Sequence, residues 1–266
     1  MNTPESAPVH APHVPLTDYY RTEQDRQAYL RKIFDNTAAD YDRIEAMLAW
    51  GTGSRYRRQA LVRGGLKAGM KVLDVGVGTG LVAAQACVLT GDSALVTGLD
   101  PSPGMMAASK LPKTMVLVEG RAESLPFPDN HFDFLSMGYA LRHISDLGVA
   151  FAEFERVLKP GGRLCILEIT QAQSRFGRWL LKSYMRGVIP LLTRLVSRQK
   201  DTATIWRYYW DSIEACIPPT QVLATLSAAG LTQVKRHLEV GVFSEYQAVK
   251  AVKPTPLSPP DRPANQ

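Results

Sequence analysis

The chain has 266 residues, of which 45% are hydrophobic and 21% are charged, a balance typical of globular proteins. No apolar run reaches the roughly 18 residues that a membrane-spanning helix needs, and the Pro-rich N-terminus lacks the basic and apolar regions of a secretory signal. These features argue against an integral membrane or secreted protein, so a cytoplasmic location is expected. The formal net charge of +6 is mildly basic.

The cysteines and histidines give no sign of a metal centre. Cys87, Cys165 and Cys216 stand singly in apolar stretches, which is typical of small buried side chains rather than of metal ligands or disulfide partners. The N-terminal histidines, His131 and His237 are interpreted as surface residues. The sequence therefore predicts neither a metal site nor a disulfide.

The composition changes along the chain and suggests one domain with loose ends. Residues 1–16 and 253–266 are Pro-rich and lack periodic apolar positions, which predicts disordered segments. Residues 17–252 are expected to form a single domain. Within it, segment 23–50 has apolar residues at helical spacing, and we expect two helices there, broken near Thr37.

Short apolar strands alternate with helices from Lys71 onward. This alternation is typical of parallel βαβ units. Two final runs, separated by little more than Gly241, predict a closing antiparallel hairpin on the edge of the sheet. The expected fold is a doubly wound, Rossmann-like α/β sheet, mostly parallel and seven-stranded, with added helices over 174–229 that cover the substrate site. The strand segments are KVLDVG, ALVTGLD, MVLVEG, HFDFLSMG, GGRLCILEIT, LTQVKRHLEV and GVFSEYQAVK.

The strongest local signal is the glycine-rich turn LDVGVGTG. A strand ends at Val75, and Gly76, Gly78 and Gly80 then allow positive φ angles and let a ligand approach the backbone closely. In an open α/β sheet, ligands bind beyond the carboxyl ends of the strands, which is where this turn is expected. Position 81 is Leu, so the dinucleotide pattern G-x-G-x-x-G is not met, and a nicotinamide cofactor is disfavoured.

Two carboxylates accompany the glycine turn. Asp74 lies just before the turn, where it would repel a phosphate and could receive an ammonium group, such as that of the methionine part of S-adenosylmethionine. Asp100 ends the second strand and is placed to accept hydrogen bonds from both ribose hydroxyls. The alternative for Asp100 is that it caps the helix that begins after Pro101.

Several motifs resemble the class I methyltransferases, and within them the quinone C-methyltransferases of the UbiE/COQ5 family. They are VLDVGVGTG, GLDPSPGMM, EGRAESLPFPDNHFD, YALRHISD and FERVLKPGGRLCILEIT, with AADYDRIEAMLAWG upstream, and the resemblance covers about residues 33–250. It implies S-adenosyl-L-methionine as cofactor and S-adenosyl-L-homocysteine as its product. Ala122 and Glu123 would contact the adenine, Met105 or Met106 would pack on its face, and Tyr41 would close over the cofactor. The cofactor contacts implied are Tyr41, Asp74, Gly76, Gly78, Gly80, Asp100, Met105, Ala122, Glu123 and Met137.

The chain also departs from that family's pattern. Members often carry Asp where this chain has Arg121, which leaves an adenine contact from that position open. The quinone enzymes usually show an Arg-Asn pair after the fourth strand, whereas this chain has Arg142 and His143. They typically close with Gly-Ile-Val/Ala-x-x-His, whereas this chain reads GVFSEYQ. These differences favour a different or modified acceptor.

The candidate catalytic residues follow the fourth strand. If the acceptor carries a ring hydroxyl, His143 could remove its proton as a general base and Arg142 could hold the resulting phenolate. Tyr139, with the aromatics Trp206, Tyr208, Tyr209 and Trp210, would wall the pocket. The plainer alternatives are that His143 caps a helix or fills a polar core position, that Arg142 is a structural ion-pair partner, and that about half of the aromatics belong to the core.

Methyl transfer to a small aromatic or lipid-like molecule is the expected function, with the acceptor and the choice between C- and O-methylation left open. A nucleic-acid methyltransferase is disfavoured because SMGYALRH lacks the Asn/Asp-Pro-Pro-aromatic element and no RNA-binding module is added. A binding protein without catalysis on the same fold stays open. The partners expected are therefore a small-molecule acceptor and no nucleic acid, with the chain a monomer or a homodimer.

The positive charge is concentrated in segment 174–200, which carries seven basic residues and no acidic one. A basic amphipathic stretch can lie on an anionic membrane surface. A peripheral position at the inner membrane surface is therefore an open alternative to a purely cytoplasmic one. A solvated helix face beside a substrate pocket is the plainer interpretation and the favoured one.

Overall fold

The structure, a computed structural model, describes residues 10–48, 52–191 and 201–252. Helices and strands alternate through its central part, as the sequence predicts. The helices are α1 (Glu23–Leu48), α2 (Gly53–Gly64), α3 (Leu81–Thr90), α4 (Pro103–Ala107), α5 (Leu147–Val157), α6 (Arg175–Ser183), a π-helical turn (Tyr184–Val188), α7 (Asp201–Ala215) and α8 (Pro219–Ala228). The strands are β1 (Val72–Val75), β2 (Val96–Asp100), β3 (Val116–Glu119), β4 (Phe132–Gly138), β5 (Leu158–Ile169), β6 (Leu231–Glu239) and β7 (Phe243–Lys250).

These strands form one seven-stranded sheet in the order β3-β2-β1-β4-β5-β7-β6. The first five strands are parallel, whereas β7 pairs antiparallel with both β5 and β6. The predicted fold class and the closing hairpin are therefore confirmed. The strand order reverses between β1 and β4, so the chain crosses to opposite faces of the sheet there and leaves a crevice at the carboxyl ends of the strands.

The central strands form near-continuous apolar runs because helices cover both faces of the sheet. All four residues of β1 are buried. On one face, α5 contributes Phe151 and Phe154 to a cluster that also contains Leu135 of β4. On the other face, α2 and α3 pack with Phe134 and Cys165, so alternate residues of β4 serve opposite cores.

The break predicted near Thr37 is not present, because α1 is a single helix from Glu23 to Leu48. The hydroxyl of Thr37 donates to the carbonyl of Ile33, 2.7 Å away, one turn earlier in the helix. A Thr side chain that is satisfied in this way can remain inside a helix, and Thr37 is almost fully buried. One continuous helix therefore contributes the cavity-lining residues from Gln27 to Glu45.

Residues 10–16 lie against the domain, in contrast to the disorder expected of segment 1–16, of which residues 1–9 lie outside the described residues. The carbonyl of His10 accepts the backbone N–H of Leu147, and that of Pro12 accepts the N–H of Ile217. His13 is buried rather than on the surface, and its Nε2 lies 3.1 Å from the carbonyl of Arg142. Its burial lowers the pKa of His13. The predicted disordered tail 253–266 lies outside the described residues.

The helices predicted over 174–229 divide between two places. The segments α6, the π-helical turn and α7 lie over the carboxyl edge of the sheet and line the cavity described below. Helix α8 packs against α5 and β6 instead, away from that edge. Among the described residues, no helix combines the length and the apolar character that crossing a membrane requires.

Candidate active site

A cavity of about 830 Å³ runs along the carboxyl ends of β1, β2 and β4. One end, here called the loop end, is formed by the glycine turn and Asp100. The other, here called the cover end, is apolar and lies under α6, the π-helical turn and α7. The cover end is lined by Phe34, Leu181, Tyr184, Met185, Ile189, Trp206, Tyr209, Ile213 and Phe243.

The cavity brings together most of the site residues predicted from the sequence. Its lining includes Asp74, Gly76, Gly78, Asp100, Met105, Ala122, Glu123, Met137, Tyr139, Arg142 and His143. Gly80 and Met106 are absent from that lining. Tyr41 belongs to α1, but its side chain lies outside the described residues. Of the four aromatics predicted as walls, Trp206 and Tyr209 reach the cavity, whereas Tyr208 and Trp210 are fully buried behind it.

The three glycines of the turn are required for different reasons, although all have positive φ. A Cβ on Gly76 would lie 2.6 Å from the Cβ of Ala140, and one on Gly80 would lie 2.5 Å from Leu111. These two positions therefore need glycine for packing. A Cβ on Gly78 would meet the methyl group of Met105 at 3.4 Å, so Gly78 is the glycine that leaves room at the cavity.

Asp100 is held in place by the backbone at the end of β2. One carboxylate oxygen accepts the N–H of Gly78 and the other accepts the N–H of Ser102, both at 2.8 Å. The helix that follows is capped by Ser102, whose hydroxyl accepts the N–H of Met105, so Asp100 is not its side-chain cap. Burial raises the pKa of Asp100 to about 6. The two backbone hydrogen bonds stabilise the charged form and lower the pKa, but their effect is smaller than that of burial. Each oxygen keeps a lone pair for a ligand hydroxyl.

Asp74 is almost fully buried beneath the turn, where one of its oxygens accepts the hydroxyl of Ser136 at 2.6 Å. This bond ties β1 to β4 at the crevice. Burial is the main cause that raises the pKa of Asp74 to about 7, and the charge of Asp100 adds to it. A carboxylate that burial makes costly to ionise is expected to gain stability when a cation lies beside it.

We therefore expect Asp74→Asn to stabilise the ligand-free protein above pH 7. Because the folded-state pKa is raised, the native protein binds more protons than the unfolded chain between pH 3.8 and 7, and stability is lost as the pH rises through that window. Removing the charge should raise the free energy of unfolding by about 1–3 kcal/mol at pH 8. Urea unfolding at pH 5 and pH 8 measures it, and an equal effect at both values would contradict this account.

Helix α1 contributes side chains to the site that the sequence interpretation missed. Asp35 accepts the hydroxyl of Ser102 at 2.5 Å and the N–H of Gly104 at 2.9 Å. Asp42, two turns later, accepts the hydroxyl of Thr79 within the glycine turn. These acidic residues share one face of α1, because seven residues make about two turns of helix. The seven-residue spacing of Asp35 and Asp42 could have indicated this shared helix face from the sequence, but the helix break expected near Thr37 hid it.

Glu45, on the same helix, pairs with Arg57 of α2, and both line the cavity. The guanidinium of Arg57 lies 5.9 Å from the ring centre of Tyr139. Tyr139 follows β4 with a φ of +60°, a conformation that non-glycine residues rarely adopt. Its N–H donates to the carbonyl of Leu167 at 2.7 Å, which fixes this turn to β5. This strained backbone conformation lies directly after the end of β4, beside the cavity.

His143 lines the cavity, and its ring contacts residues of α7 and α1. Its Nδ1 lies 3.2 Å from the hydroxyl of Tyr208 on α7, while its Nε2 is buried with no hydrogen-bond partner among the described residues. The ring stacks on Tyr208 and meets Phe34 edge-on. Burial, with the charges of Arg142 and Arg26, holds the pKa of His143 well below its usual value. The imidazole is therefore neutral at pH 7.

The side chain of Arg142 makes mainly internal contacts. Its Nε donates to Glu168 at 3.0 Å, and its Nη1 donates to the hydroxyl of Ser212 and to the carbonyl of Tyr209. The side chain is almost fully buried and joins β5 to α7. Of the two interpretations from the sequence, these contacts favour the structural ion pair. The direct substrate role of Arg142 stays a prediction.

Arg121 stands where members of the family often carry Asp, and in the structure it bonds two neighbouring residues. Its Nη2 donates to Glu123 at 3.1 Å and to the hydroxyl of Ser145 at 2.7 Å. The same oxygen of Glu123 accepts the N–H of Ser145 at 2.6 Å. Glu123 is thus engaged with its neighbours on one oxygen, and its contact with the adenine stays a prediction.

One group of potential metal ligands lies on the hairpin, outside the cavity lining. Atoms of His237, Glu239 and Glu245 lie within 4.8 Å of one another. The guanidinium of Arg63 already bonds Glu245 at 2.5 and 3.1 Å and approaches Glu239 at 3.6 Å. An arginine therefore supplies the positive charge that these carboxylates need.

Comparison with known proteins places the chain in a family. The model of the ubiE/COQ5 methyltransferase family matches residues 22–250. The ubiquinone/menaquinone biosynthesis C-methyltransferase UbiE of Hahella chejuensis (strain KCTC 2396) is 30% identical over 246 residues, which cover 90% of this chain and 95% of that protein. The protein of the same name from Shewanella halifaxensis (strain HAW-EB4) is 31% identical over 241 residues, with coverage of 87% and 95%.

Solved structures share the fold. A SAM-dependent methyltransferase from Aquifex aeolicus matches with a TM-score of 0.53 at 22% identity, covering 73% of this chain and 89% of that one. A Haemonchus contortus phosphoethanolamine N-methyltransferase, in complex with S-adenosylhomocysteine, matches with a TM-score of 0.54 at 17% identity, covering 74% and 53%. With the family match, and with the glycine turn and Asp100 at the carboxyl edge of the sheet, the chain belongs to the ubiE/COQ5 methyltransferase family and is an S-adenosylmethionine-dependent methyltransferase.

Proposed function

We propose that this enzyme methylates a ring carbon of a flat, hydroxylated aromatic acceptor of the quinol class that carries an apolar substituent. The observation that carries this proposal is the continuous cavity of about 830 Å³, whose loop end offers fixed polar groups and whose cover end is aromatic and aliphatic. Aromatic walls suit a flat apolar ring. The relatives named for C-methylation in ubiquinone and menaquinone biosynthesis support the same acceptor class.

The loop end fits S-adenosylmethionine in its chemistry. Asp100 offers two buried oxygens, already oriented by backbone N–H groups, to a ribose diol. Asp74 offers negative charge for an ammonium group, and Gly78 leaves open space beside Met105. Met105 and Ala122 line the neighbouring wall, where a flat base would pack. When bound, S-adenosylmethionine supplies an electrophilic methyl group on a positively charged sulfur.

The remaining work of the protein is to position the acceptor and to take up a proton. A ring carbon becomes a better nucleophile when the ring hydroxyl beside it loses its proton. Once that carbon carries the methyl group, its own hydrogen must leave as a proton and the oxygen must regain one, which restores the aromatic ring and releases one proton overall. His143 lines the cavity and is neutral, and its Nε2 is buried with no hydrogen-bond partner among the described residues, so we assign it the role of receiving the hydroxyl proton. The positive charges of Arg142 and Arg26, which disfavour protonated His143, also lower the pKa of a hydroxyl bound beside them.

Cofactor binding should depend on the charge of Asp100. We expect Asp100→Asn to weaken the binding of S-adenosylhomocysteine about 10- to 100-fold at pH 8, since hydrogen bonds to charged groups contribute roughly 1.5–3 kcal/mol. The affinity of the unmodified enzyme should fall as the pH drops through about 7 and then about 6, because protonation neutralises first Asp74 beside the ammonium group and then Asp100 beside the ribose. Calorimetric titration from pH 5 to pH 8 measures both effects.

The control for this experiment is Asp18→Asn, which changes an exposed carboxylate. It should leave affinity and its pH dependence unchanged, and thermal unfolding should show that both variants are folded. If Asp100→Asn binds as tightly as the unmodified enzyme, or if its affinity keeps the same pH dependence, Asp100 does not hold the cofactor.

The acceptor class is tested by offering S-adenosylmethionine with short-chain prenyl benzoquinols and naphthoquinols that lack the ring methyl group. Product mass and NMR then separate C-methylation from O-methylation. A new carbon-bound methyl group on either quinol supports the proposal. Exclusive O-methylation, or turnover only with unprenylated phenols, would contradict it.

A further inference from the structure

The solvent-facing side of α6 and the π-helical turn carries an unusual apolar patch. Phe176, Trp179 and Leu180 are 71%, 61% and 54% exposed, and Val188 and Leu191 continue the patch at 45% and 61%. Phe176 and Trp179 stack on each other with ring centres 6.0 Å apart. Single exposed apolar residues are ordinary on a protein surface, but a cluster that includes Phe and Trp marks an interaction site.

A basic stripe lies beside this patch on the same helix. Arg175, Arg178 and Lys182 follow at the spacing of one helical face, next to the face that carries Phe176 and Trp179. Lys182 approaches Glu214 at 3.5 Å, whereas Arg175 and Arg178 make no ion pair with the described residues. These two arginines are exposed and can pair with an external anion.

We propose that α6 and the π-helical turn form a docking surface for an anionic lipid bilayer. Helices that lie in the membrane interface combine Trp, Phe and Leu on one face with Lys and Arg on the other. Trp prefers the headgroup level, where its ring is partly apolar and its N–H stays hydrated. The adjacent basic residues complement acidic headgroups, which is the charge argument for a lipid surface rather than for a neutral apolar partner.

The same segment links this surface to the cavity. Leu181, Tyr184 and Met185, on the opposite side of the segment, line the cover end. An acceptor with an apolar tail could leave the bilayer along α6 and present its ring inside, a step that rests on the proposed function. The docking itself does not, because lipid binding can be measured without methyl transfer.

The test is sedimentation of the full chain with vesicles of phosphatidylcholine that contain phosphatidylglycerol, against vesicles of phosphatidylcholine alone. We expect binding to the anionic vesicles only, with a blue shift of tryptophan emission. Among the described tryptophans, Trp179 is the exposed one, whereas Trp206 and Trp210 are buried. Arg175→Gln with Arg178→Gln should weaken binding about 25-fold, at roughly fivefold for each charge. Phe176→Ser with Trp179→Ser should abolish binding.

The matched control is Lys67→Gln with Lys110→Gln, which removes two exposed charges elsewhere and should leave binding unchanged. All variants should still bind S-adenosylhomocysteine, which shows that they are folded and keeps this test separate from that of the proposed function. Equal binding to neutral vesicles, unchanged binding of either α6 variant, or self-association through this face without vesicle binding would each overturn the proposal.

Discussion

Replacing His143 by Ala should lower kcat about 10²- to 10⁴-fold while leaving the affinity for S-adenosylmethionine within a few-fold. The imidazole lines the cavity, and its buried Nε2 has no hydrogen-bond partner among the described residues, whereas the loop end is formed by Asp100 and the glycine turn. Single-turnover assays with a quinol acceptor separate this loss in the chemical step from changes in binding. His143→Asn, which restores the residue usual in the quinone enzymes, should be as impaired as His143→Ala if proton uptake is the role.

Substitution of Tyr208 tests whether helix α7 positions His143 as a base. Its hydroxyl lies 3.2 Å from Nδ1 of His143, and the donor in this bond decides whether Nε2 is free to accept a proton. Tyr208→Phe should lower kcat about tenfold without changing cofactor affinity. Tyr246→Phe, a buried tyrosine on β7 outside the cavity lining, is the control and should be near neutral in activity.

The pH profile adds a second check on His143. Because its pKa lies well below 6.5, kcat should stay level as the pH falls from 8 toward 6.5, while kcat/KM falls between about pH 7 and pH 6 as Asp74 and Asp100 are protonated. An acidic limb in kcat at pH 6.5 that disappears in His143→Asn would show an ordinary, solvated histidine and contradict the geometry described here.

Replacing Arg142 by Met should lower the free energy of unfolding by about 3–5 kcal/mol, because it leaves the carboxylate of Glu168 buried without its partner. Glu168 accepts Arg142 Nε and the N–H of Ile169 on one oxygen, and its other oxygen has no hydrogen-bond partner among the described residues. Urea unfolding measures the loss. Adding Glu168→Gln to Arg142→Met should recover part of it, since the unpaired charge is then gone.

The matched control is the exposed pair of Arg31 and Glu119, each about half exposed. Arg31→Met should cost less than about 1 kcal/mol. If Arg142→Met keeps full stability but loses activity, Arg142 acts on the substrate, as the alternative from the sequence has it. If Arg142→Met loses both stability and activity, and Arg142→Lys restores stability but not activity, then Arg142 is both the buried ion-pair partner of Glu168 and a contact to the substrate.

The parallel sheet and the glycine turn were predictable because their signals are local. Alternating strands and helices, and a turn that reads Gly76, Gly78 and Gly80 after a buried strand, leave few folds open. Asp100 was predictable for the same reason, since the end of β2 must lie beside the end of β1 in a parallel sheet. The family motifs extend these inferences over about residues 33–250, and the family model matches residues 22–250.

The roles of Arg142 and His143 could not be decided in this way. Their partners lie far along the chain, Glu168 on β5 and Tyr208 on α7, and a propensity pattern carries no information about such pairs. The misplaced break in α1 shows the same limit, because Thr37 alone suggests a helix end and only its bond to Ile33 shows otherwise.

The sequence by itself determined the sheet and the turn, since these depend on backbone geometry that each short segment must satisfy alone. The cofactor class came from the resemblance of its motifs to a known family. The tertiary structure decided which side chains face one another across the cavity. It placed Asp35 and Asp42 of α1 against the loop end, and it buried Arg142 in an ion pair. Such contacts follow from burial and from charge pairing between distant elements, and these exist only once the chain has folded.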